Sequence, residues 1–385
     1  MRNTVCVAAL LALWCSAGIA RADENKAAPC DLGRNAALTY WRAFAVFPEM
    51  TKEEDNIVAS RPGNEPKSTL EQRADLVKRW SSSLQLMHEA ATISECDWGV
   101  NYEKEGPDAL LPHLGKARSL ARAATFRARY FWEIGRRKDA AEDIRAAVIM
   151  ARQVGKDGSD TLIAALVQMT LESTALNSAA LLLTDRDSAD IFSNALGDFL
   201  DGSAVPMVDK SILFEKKVFI PWFRNMISSE GTKAIDKFVS LGVENADVKK
   251  LRALSAAEIL RCLDQVEEQY RQIAERWALP YPEFVATGEA FLEKIRANGN
   301  PLTNMLIGSL TGIRSEDEKF YVKWAMFRAA IEIRREGESA LNKVLNPADG
   351  KPFLYTDLGG GAFELKSALD VRGPLAMTFG QPPAK

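Results

Sequence analysis

The sequence predicts an all-α fold: a multi-helix bundle or short α-solenoid of antiparallel helix pairs, with a small C-terminal β-hairpin. Three observations carry that expectation. Apolar residues recur at helical spacing through most of the chain. Helix-start pairs, a Ser, Thr or Asp followed three residues later by an acid, recur in phase with those segments. Period-two alternation is almost absent before residue 346, which leaves little material for an extensive sheet. The composition agrees, since 385 residues with 47% hydrophobic and 26% charged side chains are enough for a large core.

Taken in order, the first 22 residues read as an export signal. Met1-Arg2-Asn3 gives a positive start, Val5 to Ala20 is an uncharged apolar stretch, and Ala20-Arg21-Ala22 places small residues at −3 and −1. Cleavage before Asp23 is expected, with the mature chain exported to the periplasm or secreted. The apolar run is short for a span of roughly 20 residues. Trp14 ahead of Cys15 argues against a lipid anchor. No later segment is apolar enough to cross a membrane, because Gln168, Glu172 and Asn177 interrupt 161–183. The organisation expected is therefore a signal at 1–22, a helical domain at 23–345, and a hairpin with a disordered tail at 346–385.

Three cysteines follow the signal: Cys30, Cys96 and Cys262. Export permits a disulfide, and the odd count leaves a thiol over. Cys30–Cys96 is the favoured pair, because both sit at edges of predicted helices; three buried free thiols are the other reading.

Helices are predicted near 35–47, 69–94, 109–134, 139–154, 160–183, 188–200, 209–229, 232–240, 255–277 and 282–297. Start signals are Thr51/Glu54, Ser68/Glu71, Asp139/Glu142, Ser255/Glu258 and Ser315/Glu318. The clearest seam is Ile259, Leu263, Val266, Tyr270, Ile273 and Trp277, ended by Pro280. Phe320, Trp324, Phe327 and Ile331 make a second stripe, read as core. Pro221 is expected to kink or split the 209–229 helix. Ala128, Phe131, Gly135, Ala140, Ile144 and Ala147 resemble one tetratricopeptide unit, with small residues at the close approach. No second copy follows at the period of about 34 residues an array needs, so a single helical hairpin is expected.

Past residue 346 the pattern changes. Asn346-Pro347-Ala348-Asp349-Gly350-Lys351-Pro352-Phe353-Leu354-Tyr355, then Gly359-Gly360-Gly361, then Ala362-Phe363-Glu364-Leu365-Lys366 predict two strands about a glycine turn. This run is similar to the C-terminal part of type II secretion pseudopilins, which bind calcium through an Asp-Gly-rich tail. The assembly helix of that family is absent here. Asp370 in Asp370-Val371-Arg372-Gly373-Pro374 is a single candidate ligand where calcium takes six to eight oxygens, so no metal is expected.

Chemistry-bearing motifs are few. The chain has only two histidines, His88 and His113, and lacks the metalloprotease, Walker, nucleophile-elbow and dinucleotide patterns. No cofactor is implied. A formal net charge of −3 argues against nucleic acid as the main partner. The densest polar and aromatic cluster is 96–118. There Asp97, Trp98, Tyr102, His113 and Arg118 are candidate ligand-binding residues, and Asp97, Glu103 and His113 could supply acid–base groups. The alternative is structural: Trp98 and Tyr102 pin the loop, Asp97 caps a turn, and His113 is a satisfied first-turn residue. A second cluster, Glu215, Lys216, Lys217, Trp222 and Arg224, surrounds Pro221.

Asn35-Ala36-Ala37-Leu38-Thr39-Tyr40-Trp41-Arg42-Ala43-Phe44, Cys96-Asp97-Trp98-Gly99 and Leu110-Leu111-Pro112-His113-Leu114-Gly115-Lys116-Ala117-Arg118 resemble a family of exported helical bacterial proteins. That family has a C-terminal Gly-Lys-Pro-Phe hairpin and no assigned activity. The resemblance implies an exported helical protein and adds no catalytic residue. Three functions follow as expectations. The first is a binding or scaffold module holding a protein or peptide partner in the cell envelope. The second is an envelope hydrolase using Asp97, Glu103 and His113. The third is a self-associating structural protein.

Overall fold

A computed structural model describes residues 35–59, 68–155, 161–200, 208–236, 246–307, 310–368 and 375–383. The expected signal, Cys30 with its pairing to Cys96, and Asp370 lie outside the described residues. Cys96 is buried and Cys262 half-buried.

The chain is all-α with a small C-terminal sheet, as expected. Its first layer contains α1 (Ala36–Val46), α2 (Lys52–Ala59), α3 (Leu70–Arg79) and α4 (Ser81–Ala91). Thr51 and Glu54 cap α2 reciprocally, their side chains accepting from each other's backbone N–H at 3.2 and 2.8 Å. The predicted 69–94 helix breaks at Trp80. That residue is fully buried at the α3–α4 joint, its indole 5.6 Å from the Phe126 ring. Packing the largest side chain there outweighs helix continuity. The cap of α3 is Thr69 with Gln72, one residue beyond the expected Ser68/Glu71 pair.

A four-residue turn of helix, α5 (Tyr102–Glu105), precedes the long hairpin of α6 (Pro112–Glu133) and α7 (Arg137–Val154). This is the tetratricopeptide-like pair. Ala124, Ala128, Ala140, Ile144 and Ala147 are fully buried between the helices, and Gly135 turns the corner at φ +81°. Asp139 lies inside α7 and does not cap it; its carboxylate pairs with Arg136 at 2.7 Å.

Next come α8 (Leu162–Leu182) and α9 (Arg186–Leu200). α8 is buried along most of its length, which its predominantly apolar sequence permits. It packs on α6, α7 and α10 (Val208–Glu230). α10 runs unbroken through Pro221, so the expected split does not occur. One lost backbone bond is offset by buried Ile220, Phe223, Met226 and Ile227. The rest of the helical body is α11 (Ala246–Arg252), α12 (Ala256–Trp277), α13 (Tyr281–Ala297), α14 (Pro301–Leu306) and α15 (Leu310–Glu336). The whole predicted seam of α12 is buried, and so is the Phe320–Ile331 stripe of α15. Ser255 and Glu258 form the expected capping box, whereas Ser315 and Glu318 fall inside α15.

The C-terminal element exceeds the predicted hairpin. β1 (Leu354–Gly359) and β2 (Ala362–Lys366) pair antiparallel, and β3 (Ala376–Phe379) adds a third strand beside β2. This strand, which the sequence reading did not expect, lies just before the irregular, exposed 381–383. Met377 and Phe379 drive this, alternating into the core against Phe363 and Leu365. The Gly380 N–H donates to the Ala180 carbonyl at 2.9 Å, and the Arg334 guanidinium covers the Phe363 ring at 4.6 Å. These contacts join the sheet to α8 and α15.

Candidate functional site

The residues singled out in 96–118 separate by environment. Asn35 ties the segment to α1, donating to the Asp97 carbonyl at 2.8 Å and accepting from its N–H at 2.9 Å. The Asp97 carboxylate, exposed, accepts from Gly99 N–H at 2.8 Å and so closes a turn. Trp98 is buried; its indole donates to the Gln153 carbonyl at 2.8 Å and stacks on His113 at 4.4 Å. Tyr102 is buried beside Phe214 and Phe219. Glu103 and Arg118 are exposed. The structure thus unites Trp98 with His113 and leaves Asp97, Glu103 and Arg118 at the surface.

Burial lowers the pKa of His113 to about 4. With the folded pKa below the usual value, the neutral ring is compatible with the fold above about pH 6.5, and stability is lost as pH falls towards 4. His113→Phe keeps a ring against Trp98 and cannot titrate. Between pH 7 and 4.5 the wild type is expected to lose about 2–3 kcal/mol more than His113→Phe. Urea unfolding at both pH values measures it, and equal losses would refute the assignment.

The second cluster also serves packing. Glu215 accepts from Leu162 N–H at 2.9 Å at the start of α8, and burial pushes its carboxyl up to about 7. Trp222 donates to the Lys104 carbonyl at 3.2 Å and lies against Gly106, where any Cβ would strike its ring. Arg224 pairs with Asp264 at 2.7 Å and Glu267 at 3.1 Å, holding α10 to α12. His88, the other histidine, joins a structural knot. Its Nε2 is 2.7 Å from Asp143 Oδ1, and Arg127 grips the same carboxylate at 2.5 and 2.8 Å.

An open cleft of about 600 Å³ lies elsewhere, and none of the five predicted residues lines it. One face of α15 forms its long wall: Arg314, Asp317, Tyr321, Trp324 and Arg328 step by 3, 4, 3 and 4. Opposite are Arg152 of α7, Phe199 of α9, Asp209 of α10, Trp277 at the end of α12 with Ala278, Leu279 and Pro280 after it, and Lys343, Val344, Leu345 and Pro347. The volume falls in the ordinary range for ligand sites, roughly 300–1,000 Å³.

The walls are held from behind. Glu172 of α8 is wholly buried and accepts from the Trp324 indole at 3.1 Å and from Gln168 at 2.9 Å. Arg152 lies 3.3 Å from the same carboxylate and stacks over Phe199 at 4.4 Å. Burial raises the pKa of Glu172, and Arg152 opposes that rise. Around the corner Arg314 pairs with Glu318 at 2.7 Å and covers the Tyr281 ring at 5.3 Å. Asp317 accepts a long bond from the Trp277 indole at 3.4 Å and lies 3.8 Å from Arg314. Burial pushes its carboxyl up to about 6, with Arg314 pulling the other way. Tyr321 is raised first by burial and then by the charges of Asp317 and Asp209, and its phenol interacts with Asp317.

Two polar atoms in this wall stay incomplete. Asp317 Oδ1 and Arg314 Nε are buried and make no hydrogen bond among the described residues. Such atoms are uncommon and mark strain or a group that completes them. At the rim, exposed Arg328 and half-buried Asp209 make no ion pair among the described residues. The cleft thus places half-buried Phe199 and Tyr321 near half-buried Asp209 and exposed Arg328. Among the described residues no cluster suits a metal ion, and no helix is long and apolar enough to cross a membrane.

Comparison with protein-family models, with curated proteins and with solved structures returns no match.

Sequence reading missed the cleft because it assigned α15 by its core stripe. The signal was present: charged and aromatic residues at 314, 317, 321 and 328 repeat on an adjoining face, and only Trp324 belongs to both.

Proposed function

We propose that this chain is an exported binding protein of the cell envelope, and that the cleft along α15 holds its ligand. The observation that supports this most is the cleft wall. Trp324 and Arg152 are held by buried Glu172 and Arg314 by buried Glu318, the arrangement expected of a surface that must hold its shape before a ligand arrives. The N-terminal sequence supports export. The hydrolase reading on Asp97, Glu103 and His113 gains nothing from the geometry, where one carboxylate closes a turn and the imidazole is packed under Trp98.

A photo-reactive phenylalanine analogue tests the site. Leu345, exposed at the cleft rim, and Leu110, exposed in the loop before α6, are the two positions. Irradiation in an envelope extract is expected to give a discrete adduct by mass from position 345 and none from 110. Adducts equal at both positions, or absent at both, would count against the cleft.

A further inference from the structure

We infer that the cleft takes a short peptide with both ends free, its ammonium at Asp209 and its carboxylate at Arg328. This rests on the cleft being a binding site, and it narrows the chemistry of what is bound. Most charges of the lining are already answered within the protein: Arg152 by Glu172, Arg314 by Glu318 and Asp317, and Lys343 by Glu336. Half-buried Asp209 and exposed Arg328 have no ion partner among the described residues.

These two groups stand towards opposite ends. The charge of Asp209 acts on Asp317 and Tyr321, and the Trp277 indole at the end of α12 donates to the same Asp317. Asp209 therefore belongs to the end bordered by 277–280. Arg328 lies 7 residues beyond Tyr321 and 11 beyond Asp317 on α15. At that end Lys343 pairs with Glu332 and Glu336, one and two turns further on. Such a stretch of helix advances about 10–16 Å, and an extended chain at ~3.3–3.6 Å per residue covers it with about three to five residues. A free amino acid is too short to reach both ends. A ligand carrying one kind of charge leaves the other end without a counter-charge. A carboxylate meets a guanidinium in two parallel bonds, and an ammonium donates to a carboxylate.

The stretch between suits a main chain. Val344 and Leu345 line the cleft outside any helix, and their N–H and C=O groups enter no backbone hydrogen bond among the described residues. An extended peptide pairs with such groups. Leu279, Pro280, Leu345 and Pro347 add partly exposed apolar surface with no charge to select one side chain over another. Recognition therefore falls on the two termini.

The test is equilibrium dialysis of the chain from Asp23 against random tetrapeptide pools, with retained peptides read by mass spectrometry. One pool has free ends, one is N-acetylated and one is C-amidated; a random dipeptide pool is the short control. The variants are Asp209→Asn and Arg328→Gln, with Lys116→Ala, exposed on α6, as the control. Matching thermal unfolding midpoints establish that each is folded, and the blocked pools probe the same assignment without altering the protein. Free-ended tetrapeptides are expected to be retained about tenfold or more above the blocked pools and the dipeptides. Asp209→Asn should weaken the free-ended and amidated pools and leave the acetylated pool unchanged. Arg328→Gln should weaken the free-ended and acetylated pools and leave the amidated pool unchanged. Retention indifferent to blocking, or to both substitutions, would overturn the inference. No retention of any peptide, with the photo-adduct at position 345 still formed, would overturn the peptide and keep the cleft as a binding site. Loss of both would count against both readings.

Discussion

Asp143→Ala should destabilise the fold by about 3–5 kcal/mol, although its carboxylate makes only polar contacts. Asp143 is 1% exposed and receives two bonds from Arg127, itself 9% exposed, plus a contact from His88. Taking a guanidinium out of water is costly, and the carboxylate offsets most of that cost. Removing the acid alone leaves a buried cation bridging α6 and α7 without its counter-charge. The Arg127→Met, Asp143→Leu double variant removes both charges and should recover most of the loss, because apolar replacements of a buried pair are often close to neutral. Urea unfolding of the single and double variants measures the difference. A double variant no better than Asp143→Ala would show that the knot stabilises by more than charge pairing. The exposed Arg271–Glu268 pair supplies the contrast: solvent screens it, and its loss should pass unnoticed.

The second large effect is expected at the last strand. Phe379 is fully buried, 5.3 Å from Phe363 and 6.4 Å from Phe327 by ring centroids. Phe379→Ala should cost about 3–5 kcal/mol, the usual range for emptying an aromatic site in a core. Limited proteolysis should show early cleavage around 366–376 in this variant. Thr378→Ala, one residue away and half-buried, should be mild. Equal behaviour of the two would mean that β3 is dispensable.

Much of the architecture was legible because helices announce themselves locally. The α12 seam needs only its own spacing, and Ser255 with Glu258 marks its start. The errors came where distant contacts decide. Trp80 breaks a helix that its local sequence would continue, because its indole is packed against Phe126. Asp139 and Ser315 look like caps until the chain on their N-terminal side proves helical. β3 has four residues between glycine- and proline-rich segments, too few for alternation to register, and its cause lies in Phe363 and α8. Within 96–118 the sequence left two readings of Trp98 and Tyr102 open, a ligand surface and pins of the loop, and nothing local said that Asp97 and His113 would face different surroundings. One wall of the cleft was legible in the repeat at 314, 317, 321 and 328, but the cleft itself was not, for the same reason. It exists only where α7, α9, α10, α12 and α15 converge, and its long wall shares Trp324 with a core stripe.

The Gly380–Ala180 bond joins the largely buried α8 to a segment that is synthesised long after it. A chain made from its N-terminus can assemble α6 to α9 early, but the end of α8 stays uncovered until 376–380 emerges. Completion of this part of the core is therefore gated by synthesis of β3. A chain halted before that point carries an apolar opening that chaperones and proteases can recognise, so unfinished copies are marked for removal by their own topology.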